Sequence, residues 1–187
     1  MQTILDHLDN IIRPAIRDYF AAEQALDAAN AKGDAQAIAN ARLEMIRKVR
    51  TAAIELHHLA DLVVNNPAPG ATFADLTAAR AAIRSVCVFA RGTTAVQDTD
   101  LLRDAPDALK HVTVDRPSSN VESASAIVSI GNGYGEMRYG EQKYGGAEEV
   151  TVQTKDGSKY GLRWILHNSY DAWMQVLGQP QKPLGQI

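Results

Sequence analysis

Apolar side chains recur at steps of three and four residues through the first part of the chain, a spacing that predicts amphipathic helices. A first helix is predicted over residues 3–30, and Gly33 marks its end. Pro14 is expected to kink this helix or to mark a restart. Asp34 is predicted to cap a second helix that ends at the breaker NNPAPG. The second helix carries the most regular apolar stripe, formed by Ile38, Ala41, Met45, Val49, Ala52, Leu56, Leu59 and Val63.

Two further helices are predicted next along the chain. Thr72 and Asp75 in TFAD resemble a capping box, which predicts a third helix running to about Arg91. The segment GTTAVQDTD is predicted to be a loop, and a shorter fourth helix follows over residues 100–112. Pro106 lies inside this helix, and we expect a bend there because the carbonyl four residues earlier loses its hydrogen bond.

The pattern changes to short apolar runs after DRPSSN. ASAIVSI, EVTVQT and KYGLRWI predict three strands. A two-residue Asp-Gly turn between the last two strands would place their apolar side chains on opposite faces. A three-residue loop of residues 155–157 instead pairs Val152 with Tyr160 and Val150 with Leu162, which places the apolar side chains on one face. We favour the three-residue loop, since Gly157 can take the left-handed conformation that it needs.

Helical spacing returns for a last helix, which Gly178 and Pro180 are predicted to end. The predicted fold class is mainly α: an up-and-down helical bundle with a small antiparallel β-ribbon before the last helix (α+β). Residues 1–115 are expected to form the bundle. Residues 116–178 would hold a Tyr-Gly loop, the ribbon and a helix that packs back on the bundle, as part of one domain. Residues 179–187 are expected to be a flexible tail. The apolar or small positions of the last helix are Leu166, Ser169, Ala172, Trp173, Val176 and Leu177.

The segment GYGEMRYGEQKYGG, residues 133–146, repeats Tyr-Gly every five residues, at Tyr134, Tyr139 and Tyr144. Three interpretations are open. The tyrosines can anchor an ordered surface loop, since each ring buries about 150–250 Å². They can form a stacking platform for the bases of single-stranded nucleic acid, such as RNA. They can also contact a protein partner or a second copy of the chain, giving a homodimer. The surface loop is the favoured interpretation, and the loop is also the best candidate for a binding surface.

Composition narrows the class of protein. The formal net charge of −3 argues against a general polyanion binder but leaves room for a local basic site. Cys87 is the one cysteine, so no internal disulfide can form, and its apolar surroundings SVCVFA predict a buried core position. The first residues lack the pattern of a signal peptide, and no stretch approaches the ~20 apolar residues of a membrane span. We therefore expect a cytoplasmic protein that does not insert into a membrane.

No Walker loop, GxGxxG before a helix, HExxH, paired CxxC or GxSxG occurs, and neither a cofactor nor a metal is predicted. Two sets of side chains on helix faces are candidate sites. In each, an aspartate can fix an imidazole and raise its basicity, so that the histidine acts as a general base beside a cation. Both sets can equally be solvated helix pairs. Two basic stripes can bind phosphates or face solvent. The first set is Arg103, Asp107 and His111; the second is Arg50, His57 and Asp61; the stripes are Arg80, Arg84 and Arg91, and Arg42, Arg47, Lys48 and Arg50.

LLRDAPDALKHVTVDR resembles the LRD…(N/D)AxKH segment of HEPN-like helical proteins, and the Tyr-Gly segment with EEVTVQTKDGSKYGLRWIL looks like the loop and hairpin of an uncharacterised bacterial subgroup. The resemblance covers roughly residues 99–178. It implies a helical bundle, often dimeric. Many such proteins are metal-independent endoribonucleases of toxin or defence systems, in which a His acts on the ribose 2′-OH and an Arg steadies the phosphate; others bind partners or nucleotides. Their signature has four to six residues between Arg and His, whereas seven separate Arg103 from His111, and the six between Arg50 and His57 lie on the second helix.

Two functions are therefore expected. The first is a non-catalytic interaction or scaffold module that uses its Tyr-Gly loop. The alternative is a HEPN-like metal-independent endoribonuclease or RNA-binding protein.

Overall fold

The computed structural model describes residues 3–66, 70–87, 96–110, 119–130, 148–181 and 184. The chain begins with three consecutive helical segments: α1 (Ile4–His7), a π-helical turn (Leu8–Ile12) and α2 (Arg13–Lys32). Pro14 is the second residue of α2, where a missing backbone N–H is tolerated. Ile12 and Arg13, where the π-helical turn passes into α2 just before Pro14, keep right-handed helical backbone angles, so the helix changes type there without stopping and restarting.

The longest helix is α3 (Ala35–Asn65), and the two residues predicted to separate it from α2 are confirmed in these roles. Gly33 ends α2 with a positive φ of 72°. The Asp34 carboxylate then accepts hydrogen bonds from the backbone N–H groups of Gln36 and Ala37. The apolar stripe of α3 is buried from Met45 onward and packs chiefly against α2.

The third and fourth predicted helices form with different starting points. α4 (Leu76–Val86) begins four residues after Thr72, so the predicted capping box is wrong; Asp75 is itself the N-cap and accepts from the N–H of Ala78. The predicted end at Arg91 lies outside the described residues. α5 (Asp98–Lys110) begins two residues earlier than predicted and contains the buried Pro106.

The three predicted strands form one antiparallel sheet in the order β1 (Ile127–Ile130), β2 (Glu149–Gln153) and β3 (Lys159–Gly161). Val152 pairs with Tyr160, so the predicted register and the three-residue loop are confirmed. Gly157 has a φ of 83°, and the N–H of Thr154 donates to the carbonyl of Ser158 at 2.8 Å across the loop.

The final helix α6 (Leu162–Val176) starts immediately after β3. The prediction of a strand across all of KYGLRWI is therefore wrong beyond Gly161, and Leu162 does not pair with Val150. Gly178 has a φ of 64°, which confirms the predicted stop. Leu184, in the segment expected to be a flexible tail, is 1% exposed and belongs to the apolar core.

One apolar core joins the long helices and the sheet, and it includes Cys87 as predicted. The fold class, mainly α with a small antiparallel ribbon before the last helix, is confirmed. Among the described residues, no helix combines the length and the apolar character needed to cross a membrane.

Candidate functional site

A cleft of about 380 Å³ opens where α3, α4 and α5 meet. Its floor is apolar, because these helices turn their buried stripes toward one another and α6 adds one aromatic ring below. The side chains that form this floor are Leu56, Ala60, Ile83, Leu102 and Trp173. A site with an apolar floor and a few polar groups at its rim is the usual form of a small-ligand site in proteins.

Three arginines line this cleft. Arg80 and Arg84 lie one turn apart on α4, so they share a face, and Arg103 reaches the cleft from α5. Asp100 is the one carboxylate among the lining residues of the described chain. The cleft therefore gathers positive charge on a chain whose formal net charge is −3.

The guanidinium groups differ in how they are held. Arg84 Nη1 donates to Asp100 Oδ1 at 2.9 Å, with the arginine side chain half exposed. Arg103 Nε donates to Asp104 Oδ1 at 3.0 Å. Within the described residues, Arg80 makes no hydrogen bond or ion pair. A guanidinium with unused donors at the rim of a cleft is suited to binding an anion.

A buried carboxylate positions Arg103. Asp104 is fully buried, and its Oδ2 accepts hydrogen bonds from the backbone N–H of Asn120 at 2.5 Å and from the Asn120 amide at 3.0 Å. Asp104 thus links the rim of the cleft to the chain that leads into the sheet. Asp104 and Asn120 were not predicted as site residues, and the only signal was the Arg-Asp neighbourhood in LLRDAP.

His57 lines the cleft from α3 and is half-buried. Burial lowers the pKa of His57 to about 4; Asp107 raises it, and Arg80, His58 and Lys110 lower it further. The imidazole is therefore neutral at neutral pH and can donate one hydrogen bond and accept another. Next to it, His58 Nε2 lies 3.0 Å from Lys110 Nζ, which brings another cation near the same rim.

The structure combines members of the two predicted sets rather than either set complete. Arg103 of the first set and His57 of the second line the same cleft. Asp107 acts on His57 through its charge, and His111 lies outside the described residues. Arg50 and Asp61 are exposed and do not line the cleft.

The two predicted basic stripes lie in different places in the structure. Arg80 and Arg84 line the cleft, while Arg91 lies outside the described part of the chain. The cationic cluster on α3 faces solvent or pairs with acids instead: Lys48 with Asp18 at 3.0 Å, and Arg42 with the buried Glu148 at 2.5 Å. This cluster is a charged surface in the structure and is separate from the cleft.

The predicted binding loop, with Tyr134, Tyr139 and Tyr144, lies outside the described residues. Its role, and a homodimer that uses it, stay predictions. Among the residues that the structure describes, no three side chains of His, Cys, Asp or Glu are grouped to hold a metal ion.

Comparisons with protein-family models, with curated proteins and with solved structures found no match for this chain. The resemblance to HEPN-like proteins therefore stays an expectation.

Proposed function

We propose that the chain is an RNA-binding protein that holds its ligand by the phosphate in the cleft between α3, α4 and α5. One observation carries the proposal: Arg80, Arg84 and Arg103, from two helices, converge on one cleft with an apolar floor. Guanidinium groups match phosphate oxygens in geometry as well as charge, and they often bind them bidentately.

The location of the charge supports a local site rather than general attraction to nucleic acid. A chain with a net charge of −3 attracts a polyanion weakly over most of its surface. A cleft with apolar walls strengthens the field of the cations at its rim, because fewer water molecules screen them. Binding should therefore depend strongly on these few arginines.

The proposal is limited to binding. A general base works best when its pKa lies near the working pH. The pKa of His57, at about 4, makes it a weak base at neutral pH. Cleavage would therefore depend on His111, and incubation of RNA with the protein and with His111→Ala in EDTA tests this. Cleavage by the parent and none by the variant would add catalysis to the proposal.

Binding is tested by fluorescence anisotropy with a labelled single-stranded RNA of about twelve nucleotides. Arg80→Ala is expected to weaken binding about tenfold and to lower the salt dependence by about one released counterion, because one phosphate contact is lost. Arg47→Ala is the matched control, since Arg47 has a 74% exposed side chain on α3 and lies outside the cleft. Equal effects of the two variants, or no binding by the parent protein, would overturn the proposal.

An interaction module built on the Tyr-Gly loop is the second candidate function. It is favoured by the pairing of Ile130 with Glu149 in the sheet, because these two residues come from the strands before and after the tyrosine segment in the sequence. Changing Tyr134, Tyr139 and Tyr144 together to Ser should then abolish association with a partner or with a second copy. Unchanged association in the triple variant would remove this candidate.

A further inference from the structure

The cleft has the dimensions of a small-ligand site rather than of a long groove. Its volume of about 380 Å³ lies near the lower end of the range for such sites, which is about 300–1,000 Å³. Helices enclose it on three sides, and the ring of Trp173, 2% exposed, closes the floor. A chain of several nucleotides needs an extended track, whereas a cleft of this size admits one unit.

The rim combines donors with an acceptor. The side chain of Asp100 is 15% exposed and lies among the arginines. Its Oδ1 accepts from Arg84, while among the described residues its Oδ2 receives a single long hydrogen bond, 3.4 Å, from the backbone N–H of Gln97. Oδ2 therefore keeps acceptor capacity for a ligand hydroxyl.

We infer that the cleft takes a single ribonucleotide unit, with Asp100 as the residue that selects ribose. The phosphate lies against the arginines, and a ribose hydroxyl donates to the Asp100 carboxylate. The less polar face of the nucleoside lies toward the floor near Trp173. The phosphate contact rests on the proposed function; the ribose contact is the new element.

A carboxylate beside a phosphate site has two opposite effects. It repels any phosphate ligand, and it attracts one that carries a correctly placed hydroxyl. Acidic side chains bind the ribose 2′-OH in this way, and this hydroxyl distinguishes RNA from DNA. Asp100 should therefore lower affinity for orthophosphate and for deoxyribonucleotides, and raise selectivity for ribonucleotides.

The test compares adenosine 5′-monophosphate, its 2′-deoxy analogue and orthophosphate by isothermal titration calorimetry. The parent protein should bind the ribonucleotide about tenfold more tightly than the deoxy analogue, since a hydrogen bond to a charged group is lost. In Asp100→Ala this ratio should fall to about one, and the deoxy analogue and orthophosphate should bind as tightly as before or more tightly. A ratio near one in the parent, or an unchanged ratio in the variant, would overturn the inference.

Further variants and a comparison with RNA distinguish a failure of this inference from a failure of the proposed function. Asp100→Asn is isosteric and neutral, and it serves if the alanine variant does not fold; it should also bind the deoxy analogue more tightly. Arg80→Ala should lower the affinity for all three ligands, and Arg47→Ala should leave all three affinities unchanged. If RNA binds through Arg80 but the mononucleotide neither binds nor competes, the inference fails and the proposed function stands. If the mononucleotide binds selectively but RNA does not bind, the inference stands and the proposed function fails.

Discussion

The protonation state of His57 is set by the apolar floor and the cationic rim of the cleft. Its burial disfavours the charged form, and the nearby cations Arg80 and Lys110 act in the same direction, while Asp107 opposes them. The result is a neutral ring beside a cationic rim. Such a ring can orient a ligand by hydrogen bonds without adding charge to the site.

This pKa has a consequence for stability. An unperturbed histidine titrates near pH 6.5, so between pH 6.5 and about 4 the unfolded chain binds more protons than the folded protein. The contribution of His57 to the free energy of unfolding is full above pH 6.5 and is lost as the pH falls toward 4. His57→Gln cannot titrate and should make urea unfolding less dependent on pH over this interval.

The matched control for that experiment is His58→Gln, one residue along α3, where an imidazole is removed beside the cleft rather than within it. An equal pH dependence in His57→Gln and the parent protein would show that burial of this ring does not set the acid sensitivity.

Sequence spacing identified the charged residues and the histidine that line the cleft, but it did not predict which of them would lie together in the folded protein. Residues three and four apart share a helix face, which is why Arg80, Arg84, Arg103 and His57 were candidates. Which helix faces meet is decided by packing of the core, and spacing along one helix contains no information about it. The contact of Asp104 with Asn120 was inaccessible for the same reason, since it joins two segments through tertiary structure.

At the scale of elements, the sequence was most informative where signals agreed at both ends. α3 has an unbroken apolar stripe, an aspartate cap and a Pro-Gly breaker, and its predicted limits hold. The start of α6 was missed because Gly161 provides no side-chain cap and the apolar run YGLRWI suits a strand or a helix equally. Short apolar runs are ambiguous in this way because burial on all sides removes the periodic signal.

The hairpin between β2 and β3 depends on a single glycine. Gly157 has a φ of 83°, and an added Cβ would have no neighbour within 4 Å. Gly157→Ala should therefore lower the free energy of unfolding by about 1–2 kcal/mol through backbone strain alone, without a steric clash. Urea unfolding measures this, with the exposed Lys155→Ala in the same loop as the control. A loss no larger than that of the control would show that the loop can relax.

At the scale of the whole molecule, a buried ionic cluster joins the beginning of the chain to its end. Arg163 Nη1 on α6 donates to Glu23 Oε2 on α2 at 2.6 Å, and the hydroxyl of Tyr19 donates to Glu23 Oε1. The guanidinium carbon of Arg163 also lies 4.1 Å from the centre of the Phe20 ring. Glu23 was predictable as an inward residue, because it lies four residues after Tyr19 and three before Leu26 on one helix face. Its partner was not, since 140 positions separate the two.

This cluster predicts a strongly asymmetric response to mutation. Glu23→Ala should cost about 3–5 kcal/mol, because it removes the carboxylate that lies 2.6 Å from the buried Arg163 guanidinium, which is 3% exposed. The double variant Glu23→Leu with Arg163→Met removes both charges and should recover most of that loss, since burying two ions costs nearly as much as their attraction returns. Lys48→Ala, which breaks the exposed pair with Asp18, should cost far less than Glu23→Ala, because both side chains of that pair stay in contact with water. Chemical unfolding of the parent protein, Glu23→Ala, the double variant and Lys48→Ala measures these differences. A double variant as unstable as Glu23→Ala would contradict this expectation. It would mean that the ion pair itself stabilises the packing of α2 against α6.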